Sequence, residues 1–511
     1  MIARRDLLKW IAAGWGTGLP SAFAAEAEPP APAAPSGEPF SFNHVVDLAR
    51  ALATKPHEAP DTNLPAPLAN LTYEQYVGIR SKAGTAIWFN DNLGFAVEPL
   101  HRGKIFAAAV AINVVENGTA HRLVYNPSQF DFGKLQVPAA LPDLGFSGFR
   151  VLHARSGKGF VDAAIFQGAS FFRAIANGET FGLTARALSI RTADPKGEEF
   201  PSFREFWIER PSPATDVLVI NALVDSDSMT GAYRFTLRPG DITIIDTECT
   251  LFTRSPADFY GLGCMAAMFL FAPINRRAID DVREAVHEVS GLQMLNGNGE
   301  WLWRPVSNPQ TLQISAFVDT NPRGFGLLQR QRNFSQLQDD DQHWELRPSL
   351  WIEPINDWGE GSVSLVEIPS DSDINDNIVC FWRPKAVIEP GAEISFAYRQ
   401  FWCWTPPNRP NLATVTDTRG GRGAAARQRR FLVEFTSDSF ADPQHASEIK
   451  PNLSASVGTI VSIRSFVSAE RKTFRVLFMM DFGGEALSEL RLVLEASGKP
   501  ASETWLFRWT A

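Results

Sequence analysis

Ser362-Val-Ser-Leu-Val-Glu-Ile-Pro369, followed after one serine by Asp371-Ser-Asp-Ile-Asn-Asp-Asn-Ile-Val-Cys-Phe-Trp382, is the stretch from which the fold is read. Its first half alternates like a strand and stops on a proline. Its second half packs three aspartates and two asparagines in front of an apolar run. The pattern predicts two strands, Ser362–Ile368 and Asn377–Trp382, joined by an acidic loop. An acidic loop close to tryptophan suits a carbohydrate site. An ordinary solvated turn has the same composition, and the loop alone leaves the two readings open.

Outward from this stretch the same short alternating runs recur. They begin near Gly94 and include Ser170–Ile175, Phe181–Ile190, Glu205–Arg210, Asp216–Asp225 and Ile242–Thr253. Turns such as Arg238-Pro-Gly-Asp241 separate them. Strands at this spacing from Gly94 to Trp404 predict a wide antiparallel β-sandwich. Thr405-Pro-Pro-Asn-Arg-Pro410 reads as a linker between domains. Six or seven short strands follow in about 100 residues, the count for an immunoglobulin-like sandwich. Gly420–Arg430, with Arg422, Arg427, Arg429 and Arg430 and no acid, reads as a mobile basic loop. Helical spacing is confined to Phe40–Thr54, capped by Ser41 or Asn43, and to Thr72–Arg80 with Thr72 as N-cap.

The 511 residues carry a formal charge of −9, from 48 basic and 57 acidic side chains. That balance argues against nucleic acid or an anionic membrane as the main partner. At the N-terminus Arg4-Arg5 precedes the apolar run Trp10–Leu19 and the small-x-small site Ala22-Phe-Ala24. Residues 1–24 therefore read as a twin-arginine export signal cleaved after Ala24. Residues 25–38, rich in Ala, Pro and Glu, read as a disordered tether. The expected division is a sandwich over 39–404, a linker at 405–410 and a second sandwich over 411–511. The mature chain is expected in the periplasm, without a membrane span. Cys249, Cys264, Cys380 and Cys403 form no CxxC pair and no histidine pair has zinc spacing, so neither metal nor cofactor is expected.

Several catalytic signatures drop out. Gly261-Leu-Gly-Cys-Met-Ala266 fits GxGxxA but lacks a βαβ setting and a downstream ribose-binding acid. There is no GxSxG, HExxH or P-loop. What remains is acids among aromatics. Asn296-Gly-Asn-Gly-Glu-Trp-Leu-Trp-Arg-Pro305 presents Glu300, Trp301, Trp303 and Arg304 after a tight glycine turn. Trp301 and Trp303 share a strand face, which makes either a sugar platform or sandwich core. Glu205, Trp207 and Glu209 alternate against Phe206 and Ile208. Asp339-Asp-Asp341 reads as a solvated turn. Glycosidic cleavage needs two carboxyl groups, and Asp373, Asp376, Glu288 and Glu300 are the acids singled out.

Six further segments, taken with that run, carry a resemblance: Gly168–Arg173, Phe181–Arg186, Gly197–Pro211, Asn321–Arg330, Leu346-Arg-Pro-Ser349 and Asp376-Asn-Ile-Val379. In this order they resemble the osmoregulated periplasmic glucan biosynthesis proteins of the OpgG/OpgD (MdoG/MdoD) type. The twin-arginine leader is similar to the OpgD branch. The resemblance implies an all-β fold, a large galactose-mutarotase-like β-sandwich plus a C-terminal immunoglobulin-like β-sandwich. It implies inverting hydrolysis or transglycosylation of β-1,2-glucan, with hydrolysis placed first; the alternative is a non-catalytic glucan-binding or scaffold protein. The general acid of the D-N-I-V motif falls on Asp376. The family's base, an aspartate after a histidine, falls on Glu288. A tyrosine three residues before R-P-S falls on Trp344, which has no hydroxyl to relay a proton. Asp373 takes the place of a glutamate. Asp373, Trp301, Trp303, Arg304, Glu300, Trp344, Arg186 and Trp207 are the substrate-binding candidates. β-1,2-glucan is the expected partner; a homodimer and glucan-assembly proteins stay open.

Overall fold

The computed structural model describes residues 37–511 except 139–140, 214 and 277–278. The export signal, and the tether up to residue 36, lie outside the described residues. The chain divides into two compact units. The first takes the described residues up to Asn177, Arg186–Tyr260 and Val387–Ala397; the second takes Gly178–Ala185, Gly261–Ala386 and Tyr398–Ala511. Both are built from β-sheet, so the fold is all-β, as expected. No helix among the described residues is long and apolar enough to cross a membrane.

In the first unit one sheet runs in the order Glu38–Pro39, Thr119–Arg122, Ala111–Glu116, Ser202–Glu209, Leu218–Asp225, Met229–Arg238, Ile242–Thr253. A second joins Phe171–Ala174, Gly159–Gln167, Gly148–Arg155 and Phe95–Leu100. Alternation turns Phe203 and Phe235 of the first sheet toward Phe149, Phe166 and Phe172 of the second. Rings meet across the gap, Phe149 with Phe206 at 4.9 Å and Phe172 with Phe235 at 5.2 Å. The outer face of the first sheet is covered by the helix Phe42–Ala53. Its apolar stripe, with Val45 and Ala49 at the centre, buries Trp207, Leu223, Ala232 and Phe252. Thr72 caps Tyr73–Gly78 through a reciprocal capping box with Gln75.

In the second unit Gln313–Thr320, Glu360–Glu367, Ile378–Pro384 and Tyr260–Ala267 lie side by side. The facing sheet runs from Ser349–Pro354 through Gly324–Leu328, Gly291–Leu295 and Trp301–Pro305 to Thr504–Thr510, Leu487–Ala496 and Ile449–Ala455. Phe325, Trp358 and Trp382 fill the space between, with ring centres 6.3 and 6.4 Å apart. Gly263, at φ +57°, sits against Ile352 and Phe325, where a Cβ would approach both to about 3.2–3.3 Å. That packing accounts for the chance nucleotide-like motif, which is a strand here.

The last strands of that sheet face a four-stranded one: Thr414–Arg422, Gln428–Thr436, Thr473–Asp481, Thr459–Ser468. Phe431, Val433, Phe435, Phe474, Val476, Phe478, Leu492 and Trp505 form the core between them, and Trp303 joins it. The pairing of Trp303 with Trp505 is parallel. Residues 405–410, read as a linker, fall inside the second unit. Gly420–Arg430 is no free loop. Gly420 pairs with Phe431 and Arg422 with Arg429, and only the turn between Arg422 and Gln428 leaves the ladder. The outer arginines conceal the alternation of Phe431, Val433 and Phe435, which fixes the strand. All four cysteines are buried free thiols. Burial pushes Cys249 up to about 12 and raises Cys380 and Cys403 as well.

Candidate functional site

The acidic loop lies where the sequence placed it, between Glu360–Glu367 and Ile378–Pro384, whose register pairs Glu367 with Ile378. Its neck is closed by one asparagine. Ile368 N donates to the Asn377 carbonyl at 2.8 Å, and Asn377 Nδ2 donates to the Ile368 carbonyl at 3.0 Å. Asn308 braces the loop's other side, accepting from Ser370 N at 2.9 Å and donating to the Ser370 carbonyl at 2.7 Å. Below the neck, buried Glu367 accepts from Arg304 Nη2 at 3.1 Å and from Ser307 N at 2.6 Å. Asp376, 7% exposed, accepts from Thr184 Oγ1 at 3.3 Å.

Glu288 is buried and follows the short strand Val286–His287, which pairs with Phe269–Phe271. Its backbone N donates to the Met268 carbonyl at 2.9 Å, and Met268 N donates to Glu288 Oε2 at 3.2 Å. The next amide, Phe269 N, donates to Asn377 Oδ1 at 2.8 Å. The two candidate acids are thus tied to consecutive amides of one segment, Glu288 directly and Asp376 through its neighbour. Consecutive Cα atoms are about 3.8 Å apart, so Glu288 and Asn377, at the end of the Asp376 loop, are anchored to adjacent residues. His287 is buried, and desolvation lowers its pKa to about 4, leaving a neutral ring. Gln331 and Gln329 hold its two nitrogens at 2.9 and 3.3 Å.

Trp344 is 1% exposed and offers no ring face to a sugar. Its indole N donates to Asp339 Oδ2 at 2.9 Å. The Asp339–Asp341 run, expected as a solvated turn, has Asp339 buried and accepting from the backbone N of Gln342 at 2.9 Å. Burial alone would raise the Asp339 pKa. Hydrogen bonds from Arg283, Gln342 and Trp344 outweigh it and hold the group below the usual carboxylate range. Arg347 lies over the Trp344 ring at 5.1 Å and donates to the Phe181 carbonyl and to Gln342 Oε1. Burial lowers its pKa, and the negative charges of Glu288, Asp339 and Glu345 oppose the fall. Asp373 accepts from Arg283 Nη1 at 3.0 Å.

The remaining candidates are held in the framework. Trp303 is core beneath the C-terminal strands, with the Arg330 guanidinium 3.5 Å above its ring. Trp301, half-buried, stacks on Trp351 at 5.8 Å. Glu300 accepts from Arg491 Nη2 and from Thr504 Oγ1. Arg304 is the buried partner of Glu367. In the first unit, Trp207 packs on Phe40 under the helix at 5.8 Å. Arg186 is buried, pairs with Glu198 at 2.6 Å and lies 5.1 Å from the rings of both Phe171 and Phe200. Sequence reasoning missed Thr184, Gln329 and Arg283 as contributors. Thr184 and Gln329 sat inside quoted segments without an assigned role, and Arg283 carries no local signal. Among the described residues, no group of three His, Cys, Asp or Glu side chains is disposed to hold a metal ion.

Residues 40–509 match the sequence profile of the family described as "Periplasmic glucan biosynthesis protein, MdoG". "Glucans biosynthesis protein G" of Shewanella sp. (strain ANA-3) is 44% identical over 477 residues, covering 92% of this chain and 87% of that protein. The protein of the same name from Vibrio cholerae serotype O1 is 43% identical over 476 residues, with the same coverage. Among solved structures, a galactose mutarotase related enzyme from Lactobacillus acidophilus is 8% identical. It covers 46% of this chain and 96% of its own, at a TM-score of 0.21. An α-galactosidase from Geobacillus stearothermophilus, also 8% identical, covers 50% of this chain and 39% of its own at 0.24. At such scores neither structure carries an argument about this chain.

Proposed function

Because the chain belongs to the MdoG family of periplasmic glucan biosynthesis proteins, we propose that it is an exported enzyme that cleaves β-1,2-glucan with inversion. Asp376 is the general acid and Glu288 the base. The observation that supports this reading is the pair of consecutive amides, Met268 N on Glu288 and Phe269 N on Asn377, the residue after Asp376, which anchors the segments of both buried acids to one stretch of chain. In the inverting reaction Asp376 protonates the leaving glycosidic oxygen, while Glu288 takes a proton from the water that attacks the opposite face of the sugar. The Met268 amide fixes the direction of the Glu288 carboxylate. Thr184 fixes that of Asp376.

Trp344 favours a second reading. Its only polar atom is spent on Asp339, so no hydroxyl stands where the resemblance expects a relay. Water is then disfavoured as the attacking group, and either a sugar hydroxyl attacks or glucan is bound without turnover. Purified protein incubated with linear β-1,2-glucan decides. Short oligosaccharides whose new reducing end is first the α-anomer support inverting hydrolysis. Cyclic or re-linked products support transfer. Binding with no product removes the enzyme reading and leaves the scaffold. Export by the twin-arginine route, with residues 1–24 removed, belongs to the same proposal and is read by mass spectrometry of the mature N-terminus. So does the immunoglobulin-like reading of residues 411–511.

A further inference from the structure

Arg283 stands five residues before Glu288, outside every motif in the chain. Its guanidinium is shared among three carboxylates, one two residues away and two from distant segments. Nε and Nη2 grip Asp281 at 3.0 and 2.8 Å. Nη1 is divided between Asp339 Oδ2 at 2.8 Å and Asp373 Oδ2 at 3.0 Å. The two acids on Nη1 belong to working parts of the site. Asp373 is in the loop that carries Asp376. Asp339 holds the indole of Trp344 and the turn that leads to Arg347. One nitrogen therefore joins the loop of the candidate acid to the turn beside the candidate base.

We propose that Arg283 is a positioning residue: it clamps the Asp376 loop against the Trp344 turn and so sets the spacing of acid and base. The proposal rests on the function proposed above, but the clamp itself is a matter of geometry. A guanidinium suits the task because its planar fork can serve two carboxylates with one hand and a third with the other. Lysine, a point charge, cannot reproduce it. Without the cation, Asp339 and Asp373 face each other unscreened and the loop moves away. The other cations beside the cluster are Arg276 near Asp281 and Arg347 near Asp339, the latter also in the field of Glu288 and Glu345. Among the described residues their hydrogen bonds go elsewhere, Arg276 to backbone carbonyls and Arg347 to Phe181 and Gln342, so neither substitutes for the clamp.

The test uses the full mature chain and two variants, Arg283→Gln and Asp373→Asn, with Arg283→Lys as the conservative partner. Hydrogen exchange of the amides from Ile368 to Asn377 is read first. In both variants it is expected to rise at least tenfold above wild type, with Arg283→Lys between. Turnover of β-1,2-glucan is read second. For Arg283→Gln, kcat is expected to fall about ten- to a hundredfold with KM nearly unchanged, the range a displacement near 1 Å produces. The loss should come from the repulsion between Asp339 and Asp373 once their shared cation is gone. The double variant Arg283→Gln/Asp373→Asn should recover part of it for the same reason. Asp373→Asn keeps Arg283 with Asp281 and Asp339, so it stands in should Arg283→Gln fail to fold. Loop exchange equal to wild type in Asp373→Asn, and in Arg283→Gln where it folds, overturns the clamp. Raised exchange in a protein that never turns glucan over leaves the clamp standing and removes the proposed function.

Discussion

Asp376 and Glu288 are held by different means, and substitution tests each. Asp376→Asn keeps the bond from Thr184 but loses the proton to be donated, and activity should fall by at least a hundredfold. Glu288→Gln should fall comparably for hydrolysis and for any transfer reaction, since an attacking sugar hydroxyl must lose a proton just as water does. Chromatography of products from both variants checks this. Trp344→Phe deletes a donor to an ionised, buried carboxylate and should cost about 1.5–3 kcal/mol in urea unfolding. Two buried histidines give the pH response. His287 and His101 each have a pKa lowered by burial to about 4, against 6.5 unfolded. Between those values the unfolded chain binds a proton the folded chain does not. Stability therefore falls as pH drops from about 6.5 to 4, by up to about 1.4 kcal/mol per pH unit for each ring. In His287→Gln the slope should lose one proton's worth. Asp376 was legible because D-N-I-V is local. Arg283 was not, because two of its partners lie at 339 and 373 and only the fold brings them to it.

At the scale of elements, strands read well wherever their alternation was unbroken. Glu360–Glu367 and Ile378–Pro384 were found to within two residues at each end, because one apolar run meets one acidic loop. Short strands such as Thr184–Arg186 and Val286–His287 were not separable from their loops, since two or three residues carry no periodicity. The basic hairpin was misread because its arginines fall at the turn end of both strands. Tryptophan counts misled in another way. Trp303 and Trp207 look the same in sequence as a sugar platform, and each is covered by a different element. The strand Trp301–Pro305 is bound to Glu360–Glu367 by the buried pair Arg304 and Glu367, 1% and 0% exposed. Removing one member strands the other's charge. Arg304→Met or Glu367→Leu alone should cost about 3–5 kcal/mol, and the two together less than either alone. A double-mutant cycle in urea measures it.

At the scale of the molecule, the all-β class was legible because turn residues punctuate the chain from Gly94 onward. The partition was not, because compactness depends on which strands meet. Glu503, buried near the C-terminus, illustrates this. It accepts from Arg330 Nη1 at 2.6 Å, Gln293 Nε2 at 3.0 Å and Val415 N at 2.7 Å. These bonds join the strands after 410 to those that carry Gln329 and Gln331, and hence to His287. A chain ending at residue 410 should expose Trp303 and Leu328 and lose the folded state of the second unit. Calorimetry of that chain should show at most the transition of the first unit. The four buried thiols add a consequence of another kind: they are clocks. A thiol reagent reaches a raised, enclosed sulfur only when its surroundings open, so labelling rate counts openings. Cys249 keeps time for the first unit and Cys264, Cys380 and Cys403 for the second. Mass spectrometry of the native protein under slow labelling would show whether the two units breathe in step.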